Sequence, residues 1–232
     1  MTMNKIKFEK FHKIIEQIEK SKGFKINDAS RLLEISFKLM VINFIHVDKF
    51  IERVPIFSKS QRNDSEKFQI EALRRFLNFL NSAIAFKEHT RKYVSDIYGD
   101  SQSTFNRTYQ SKVNAEFASD PLTQFIEALR NIYNHQQILP LGIETIIKNN
   151  ELVSRVKLFK KQLEEYENLP SKANIYLSSI PDELNIDALE ICEDYLNKSL
   201  FPWLMTQQIS IHKEEFEKLK KLRIRAHELL EK

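Results

Sequence analysis

The sequence predicts a mainly α protein: a helical bundle with a small β-hairpin inserted after its best-defined helix. Only three of the 232 residues are glycine, so turns that need a positive φ angle are scarce, which disfavours an all-β fold. Apolar residues recur every three or four positions up to about residue 139, as they do in amphipathic helices. The period then shortens to two over a brief stretch before helical spacing returns, and this change predicts the hairpin.

Four helices are expected before residue 119. Their expected bounds are residues 8 to about 23, residue 27 or 28 to about 53, residue 63 or 64 to 98, and residue 103 to about 117. Asn27 or Asp28 would cap the second helix, and Ser103 would cap the fourth. The glycine at position 99 is expected to end the third helix, because glycine readily adopts the left-handed conformation that follows a helix.

The fifth helix has the clearest start in the chain. Asp120 is a typical N-cap residue, and Pro121 occupies the first helical position, where its missing N–H costs nothing. One apolar stripe is expected to be buried, and it comprises Leu122, Phe125, Ile126, Leu129, Ile132 and Tyr133. Pro140 is expected to end this helix.

Short strands are expected at residues 145–148 and 152–158 on either side of Asn149-Asn150, which is a hairpin-turn sequence. Helices then return, and their expected bounds are residues 160–177, 186 to about 208 with Asn185 as cap and a break at Pro202, and 213–230. We therefore expect a helical body over residues 1–140. Residues 141–232, the hairpin and C-terminal helices, are expected to pack on the same domain.

Composition narrows the function classes. A single cysteine, Cys192, excludes an internal disulfide and a cysteine-rich zinc site, and we expect it to be a small core residue. The longest strongly apolar stretch, residues 39–47, is far shorter than the about 20 residues of a membrane span. With no secretory leader at the N-terminus, a cytoplasmic protein that contacts no membrane is expected. The formal net charge of +4 is mild and does not by itself indicate nucleic-acid binding.

Three polar residues beside the apolar stripe of the fifth helix are candidates for chemistry. Asn131 and His135 are four residues apart and share one flank of the helix. Arg130 lies about 140° around the helix axis from His135, so only its long side chain could bring the guanidinium to a shared site. A histidine can take a proton from a ribose 2′-hydroxyl, and an arginine can bind phosphate and stabilise transition-state charge. An asparagine beside them can orient the histidine or the phosphate, and this chemistry needs no metal or cofactor.

The segment from Arg130 to His135 resembles the signature of the HEPN superfamily, the all-helical domains of many RNA-cleaving toxins and phage-defence proteins. That signature is an arginine, often followed by a polar residue, with a histidine four to six residues further on. The wider string, in which Phe125-Ile126 precedes the motif and Leu139-Pro140 follows it, is similar to a group of uncharacterised bacterial HEPN-like proteins. The resemblance extends over about residues 30 to 210.

The resemblance implies a metal-independent endoribonuclease that leaves a 2′,3′-cyclic phosphate and acts in phage defence or toxin–antitoxin biology. RNA is then the expected substrate, and a homodimer is expected in which two motifs meet in one cleft. An antitoxin partner of unknown identity is also consistent with it. Gln137 departs from the pattern of HEPN toxins that a partner nucleotidyltransferase modifies, because those usually carry tyrosine two residues after the histidine.

Other interpretations of the same residues remain open. The chain could be a non-catalytic HEPN-like module that binds a nucleotide, RNA or a protein, or a structural helical protein whose motif stabilises a dimer. His135 could simply face the negative end of the helix dipole, with Arg130 paired to Glu127 or Asn134. His89 and Arg91 could line the motif cleft or lie on an exposed face. Basic residues near the C-terminus could hold phosphates, or form a solvated helix face with the glutamates between them. These basic residues are Lys218, Lys220, Lys221, Arg223 and Arg225.

Overall fold

The computed structural model of the chain describes residues 3–54, 62–99, 104–135, 137–148, 150–166 and 169–231. Its contacts divide the chain into two compact units. Unit 1 joins the first 35 residues to residues 200–232, and unit 2 comprises residues 36–199. Residue 140 lies inside unit 2, which contains both the motif helix and the hairpin.

Unit 1 is built from α1 (Met3–Lys20), the beginning of α2 (Lys22–Ile51), α9 (Phe201–Ile211) and α10 (Lys213–Glu231). Helices α1 and α10 pack together, with Ile18, Leu219 and Ala226 buried between partly buried aromatic and aliphatic side chains. This core is small. The charged amphipathic tail expected over residues 213–230 is thus confirmed as a helix that packs within its own unit.

The junction between α1 and α2 differs from the prediction. Helix α2 begins at Lys22, so Asn27 and Asp28 lie inside it and do not cap it. Ser21 performs that role, because its hydroxyl accepts a hydrogen bond from the backbone N–H of Phe24 at 3.1 Å. Gly23 lies in the first turn of α2, where a Cβ atom would come within 2.4 Å of the Glu215 carbonyl oxygen of α10. Close helix packing, and not a helix end, therefore requires glycine there.

Unit 2 contains the rest of α2, the long α3 (Arg62–Tyr98) and α4 (Thr104–Val113), which continues as a single π-helical turn, Asn114–Ala118. Gly99 has φ of 67°, so the expected left-handed residue after α3 is confirmed. The expected cap Ser103 lies outside the described residues. Side chains of α2 and α3 that include Met40, Phe76, Phe79 and Leu80 are fully buried and form the centre of this unit's core.

The motif helix α5 (Pro121–His135) follows, and then a three-stranded antiparallel sheet ordered β1-β2-β3. Strands β1 (Leu141–Lys148) and β2 (Glu151–Leu158) pair from Leu141 with Leu158 to Lys148 with Glu151, which confirms the hairpin. The first strand starts four residues earlier than predicted. At Gly142, in the added part of the strand, a Cβ atom would lie 2.5 Å from the tip of the Phe159 ring, so this ring packs against the glycine. The third strand, β3 (Ile186–Asp187), was not predicted.

The helices after the hairpin are shorter than predicted. The single helix expected over residues 160–177 is two, α6 (Lys160–Glu164) and α7 (Ser171–Ser178). Pro170, with φ of −55° and ψ of 144°, is not helical and immediately precedes α7. Asp187, and not Asn185, caps α8 (Ala188–Asn197) and accepts hydrogen bonds from the N–H groups of Leu189 and Glu190. The chain breaks before Pro202, which lies in the first turn of α9.

The mainly α fold with a small β insertion is therefore confirmed. Cys192 is fully buried on α8, as expected, and burial raises the pKa of its thiol. Within the described ranges, no helix combines the length and the apolar character that crossing a lipid bilayer would require.

Candidate functional site

The start of the motif helix is fixed by Asp120. One carboxylate oxygen, Oδ2, accepts hydrogen bonds from the backbone N–H of Thr123 at 2.8 Å and from its hydroxyl at 2.9 Å. The other oxygen lies 2.5 Å from Lys198 Nζ. Burial would raise the pKa of Asp120, but the hydrogen bonds from Lys198 and Thr123 outweigh it and lower that pKa. The helix start expected from sequence is confirmed in detail.

The buried face of α5 holds the helix in unit 2. Leu122, Phe125, Ile126, Leu129 and Ile132 are all buried, as the apolar stripe predicts. The Phe125 ring stacks on Tyr176 of α7, with the ring centroids 4.8 Å apart. Helix α5 also packs against α3 and α8. Because this face is packed into unit 2, the opposite, polar face of α5 is directed away from the core of that unit.

Two details of the prediction for α5 are wrong. The helix ends at His135, not at Pro140, because the backbone N–H of Gln137 bonds back to the Ile132 carbonyl at 3.1 Å and turns the chain off the helix. Tyr133 was expected in the buried stripe but is 39% exposed. The last turn of the helix therefore lies at the surface of the unit, where Asn134 and His135 are also exposed.

The polar face of α5 carries two columns of side chains. Arg130 and Asn134 are four residues apart and form one column, while Asn131 and His135 form the other. Asn131, Asn134 and His135 are exposed, and Arg130 is partly buried. Asn134, expected from the sequence only as a partner for Arg130, is placed beside the motif by the same four-residue spacing that links Asn131 to His135.

The Arg130 side chain turns towards the Asn131 column. Its Nη1 atom donates a hydrogen bond to Asn131 Oδ1 at 3.3 Å. Because Asn131 shares its flank with His135, this contact carries the guanidinium across part of the about 140° that separates Arg130 from His135 in an ideal helix. The guanidinium is therefore held on the Asn131 side of Arg130.

One nitrogen of Arg130 is left unsatisfied. Its Nε atom is buried and has no hydrogen-bond partner among the described residues. A buried donor without an acceptor costs about 1–3 kcal/mol, so buried polar groups are normally paired. The side chain is therefore in an arrangement that the surrounding protein does not fully satisfy.

Glu127 does not pair with Arg130 in the structure. Its carboxylate lies 2.6 Å from Lys87 Nζ on α3, and both side chains are about three-quarters buried. This ion pair joins the two helices beside the motif. It also leaves the Arg130 guanidinium with the neutral side chain of Asn131 as its hydrogen-bond partner.

His89 and Arg91 are directed to other partners. The Nδ1 atom of His89 lies 2.8 Å from the Ser36 hydroxyl of α2, and Arg91 pairs with Glu88 on its own helix. Helices α3 and α5 run in opposite directions, since Gln69 bonds to the Leu141 carbonyl while Lys87 meets Glu127. Glu127 precedes His135 by about 12 Å of helical rise, and His89 lies further away still along α3. The structure does not bring His89 to the motif.

The C-terminal basic residues lie on α10 in unit 1, whereas the motif lies in unit 2. Lys218 pairs with Glu215 at 3.4 Å on the exposed surface of this helix. In the part of the chain that the structure describes, no group of three or more histidine, cysteine, aspartate or glutamate side chains is arranged to hold a metal ion.

The site at the end of α5 thus consists of Arg130, Asn131, Asn134 and His135, presented on a surface whose opposite side is packed into unit 2. No family model, curated protein or solved structure matches this chain.

Proposed function

We propose that this protein is a metal-independent endoribonuclease of the HEPN type. The observation that carries the proposal is the hydrogen bond from Arg130 to Asn131, because it turns the guanidinium towards the flank on which His135 is exposed. A cationic phosphate binder and a proton acceptor then share one solvent-facing surface.

The proposed reaction is transfer of the phosphodiester to the neighbouring ribose oxygen. His135 accepts the proton of the 2′-hydroxyl, whose oxygen attacks the adjacent phosphorus, and the bond from phosphorus to the 5′-oxygen breaks. Arg130 binds the non-bridging oxygens and stabilises the added negative charge, while Asn131 orients the phosphate or the imidazole. The products are a 2′,3′-cyclic phosphate and a 5′-hydroxyl.

The departing 5′-oxygen needs a proton as it leaves. In a symmetric pair of chains, His135 of a second copy supplies it, so one copy provides the base and the other the acid. The homodimer is part of the proposal for this reason. Sedimentation velocity tests it directly: we expect a dimer at the protein concentrations at which RNA is cleaved.

The decisive experiment measures cleavage of a labelled RNA by the purified full chain in the presence of EDTA, with the ends of the products identified. We expect cleavage with cyclic phosphate ends, reduced at least about 100-fold by His135→Ala, the lower end of the usual contribution of acid–base catalysis. Arg130→Ala is expected to reduce it similarly, and Arg130→Lys only in part, since lysine keeps the charge but loses the bidentate geometry. His227→Ala is the matched control, because this histidine is exposed on α10 in unit 1.

Two results would contradict the proposal. If RNA is not cleaved, or if His135→Ala cleaves as fast as the parent chain, the nuclease mechanism is wrong. Saturable RNA binding without turnover, weakened by Arg130→Ala, would instead indicate the non-catalytic binding module. A role in defence or as a toxin adds a cellular expectation: the parent chain, but not His135→Ala, arrests growth of the cells that express it.

A further inference from the structure

The net positive charge of the chain belongs to unit 1. Residues 1–35 and 200–232 contain 15 basic and 10 acidic residues, which gives a formal charge of +5. Residues 36–199 contain 21 basic and 22 acidic residues, a formal charge of −1, so the two units together account for the +4 of the whole chain. The unit that carries the motif therefore has no excess of positive charge to attract a polyanion, whereas unit 1 has one.

Part of this charge surrounds a groove between α1 and α10. The groove has a volume of about 380 Å³, and the described residues that line it are Lys10, Lys13, Ile14, Arg225, Glu228 and Leu229. The three cationic side chains among them are exposed, while Ile14 and Leu229 are partly buried and supply its apolar wall. We call it the basic groove. Two helices thus bring three cations and one carboxylate together at one surface of unit 1.

The three cations of the basic groove are not neutralised by the protein. Among the described residues, none of them forms an ion pair or a side-chain hydrogen bond, and Glu228 is joined to none of them. Elsewhere in unit 1 a cation can be paired within its own helix, as Lys20 is with Glu16 at 3.5 Å. An external anion could therefore bind in the groove without first displacing a carboxylate from its cations.

The groove also distinguishes between the basic residues of α10. Lys221 lies about 40° from Arg225 around the helix axis, so it extends the cationic side by one turn. Lys220 and Arg223 lie about 140° and 160° from Arg225, on the other side of the helix. The basic residues that the sequence places together in α10 are thus divided, and only one side of the helix shares its charge with Lys10 and Lys13 of α1.

We propose that the basic groove binds backbone phosphates of RNA, so that unit 1 holds the RNA that unit 2 cleaves. This inference takes its ligand from the proposed function. An anionic lipid surface would be the other partner for such a patch, but it requires exposed apolar side chains beside the cations. Phe8 and Leu230, each 68% exposed, lie instead about 140° around their helices from Lys13 and Arg225, respectively. Contacts to phosphates alone would make this binding independent of RNA sequence.

The test compares two double variants that each remove two positive charges from unit 1, both in the His135→Ala chain so that binding is measured without cleavage. In Lys13→Gln with Arg225→Gln, we expect affinity for the labelled RNA of the cleavage assay to fall at least about tenfold in about 0.1 M salt. The slope of log affinity against log salt should fall by about 1.4, since each phosphate contact with a single strand contributes about 0.7. Lys220→Gln with Arg223→Gln is the matched control, and we expect it to change the affinity by less than about threefold.

The outcomes separate this inference from the proposed function. Equal affinities of the two double variants would refute the groove, because only the total charge of unit 1 would then matter. Loss of binding to phosphatidylserine vesicles in Lys13→Gln with Arg225→Gln, with RNA affinity unchanged, would replace RNA by a lipid surface. Cleavage that depends on His135, with the same KM in both double variants, would overturn the groove and leave the nuclease intact. Groove-dependent binding of RNA that the parent chain never cleaves would do the reverse, and no RNA binding at all would overturn both.

Discussion

Removing the cap of the motif helix should weaken the fold without touching the chemistry. In Asp120→Ala, the N–H of Thr123 loses its capping acceptor, which costs about 1 kcal/mol. The Thr123 hydroxyl, on a residue that is only 1% exposed, loses its acceptor as well, which adds about 1 kcal/mol. The pair with Lys198, a side chain that is 39% exposed, contributes little. We therefore expect a loss of about 2 kcal/mol in the free energy of unfolding.

Urea unfolding followed by far-UV circular dichroism measures this loss, and Asp120→Asn is the matched control. Asparagine keeps an oxygen that can accept from Thr123 but lacks the charge, so we expect it to cost less than about 1 kcal/mol. RNA cleavage by folded Asp120→Ala should equal that of the parent chain, because Arg130 lies about 15 Å of helical rise further along α5. A change of less than about 0.5 kcal/mol in Asp120→Ala, or equal costs for the two variants, would refute the reasoning.

Two further predictions concern other contacts. Arg75 donates hydrogen bonds to Glu71 at 2.6 Å and to the His46 carbonyl at 3.0 Å, and its guanidinium lies 5.0 Å from the Phe50 ring centre. Arg75→Ala should therefore lower the free energy of unfolding in urea by about 2 kcal/mol. The control Arg74→Ala removes only an exposed pair with Glu71 and should change this free energy by less than about 0.5 kcal/mol, so equal losses in the two variants would contradict the prediction. Burial, and then Lys22, lowers the pKa of His212 below its ordinary 6.5, although Glu215 opposes this. Below about pH 6.5 the unfolded chain therefore binds a proton at this histidine that the folded chain does not bind. The stability that neutral His212 contributes is thus present above about pH 6.5 and is lost as the pH falls through the lower, folded pKa. Thermal unfolding at pH 7.5 and pH 5 should show this loss in the parent chain and in the exposed-histidine control His227→Gln, but a smaller one in His212→Gln.

The sequence predicts those features of α5 that depend on neighbouring residues. Asp120 and Pro121 determine its start through contacts within the first turn, which is why the sequence alone locates it. Gly99 ends α3 for a similar local reason, since its positive φ costs glycine little. The spacing from Arg130 to His135 likewise determines which flank of a helix each residue occupies.

Features that depend on tertiary structure are not accessible in this way. The end of α5 is determined by the backbone bond from Gln137 to Ile132, and proline at position 140 is only the more visible signal. Tyr133 is 39% exposed although it continues the apolar stripe, and periodicity alone does not reveal this. The partner of Glu127 is Lys87, forty residues away in the chain. No local pattern therefore indicates that Arg130 bonds to Asn131 and does not pair with Glu127.

The two faces of α5 also explain why stability and activity should respond to different substitutions. Phe125 is fully buried and stacked on Tyr176, so Phe125→Ala removes packing worth about 3–5 kcal/mol. His135 is exposed, and the structure gives it no hydrogen bond among the described residues, so His135→Ala removes little that the fold uses. A histidine retained only to stabilise the helix would lower the unfolding free energy when replaced and leave RNA cleavage unchanged. The nuclease proposal requires the reverse, and the two measurements on one variant therefore decide between the structural and the catalytic role.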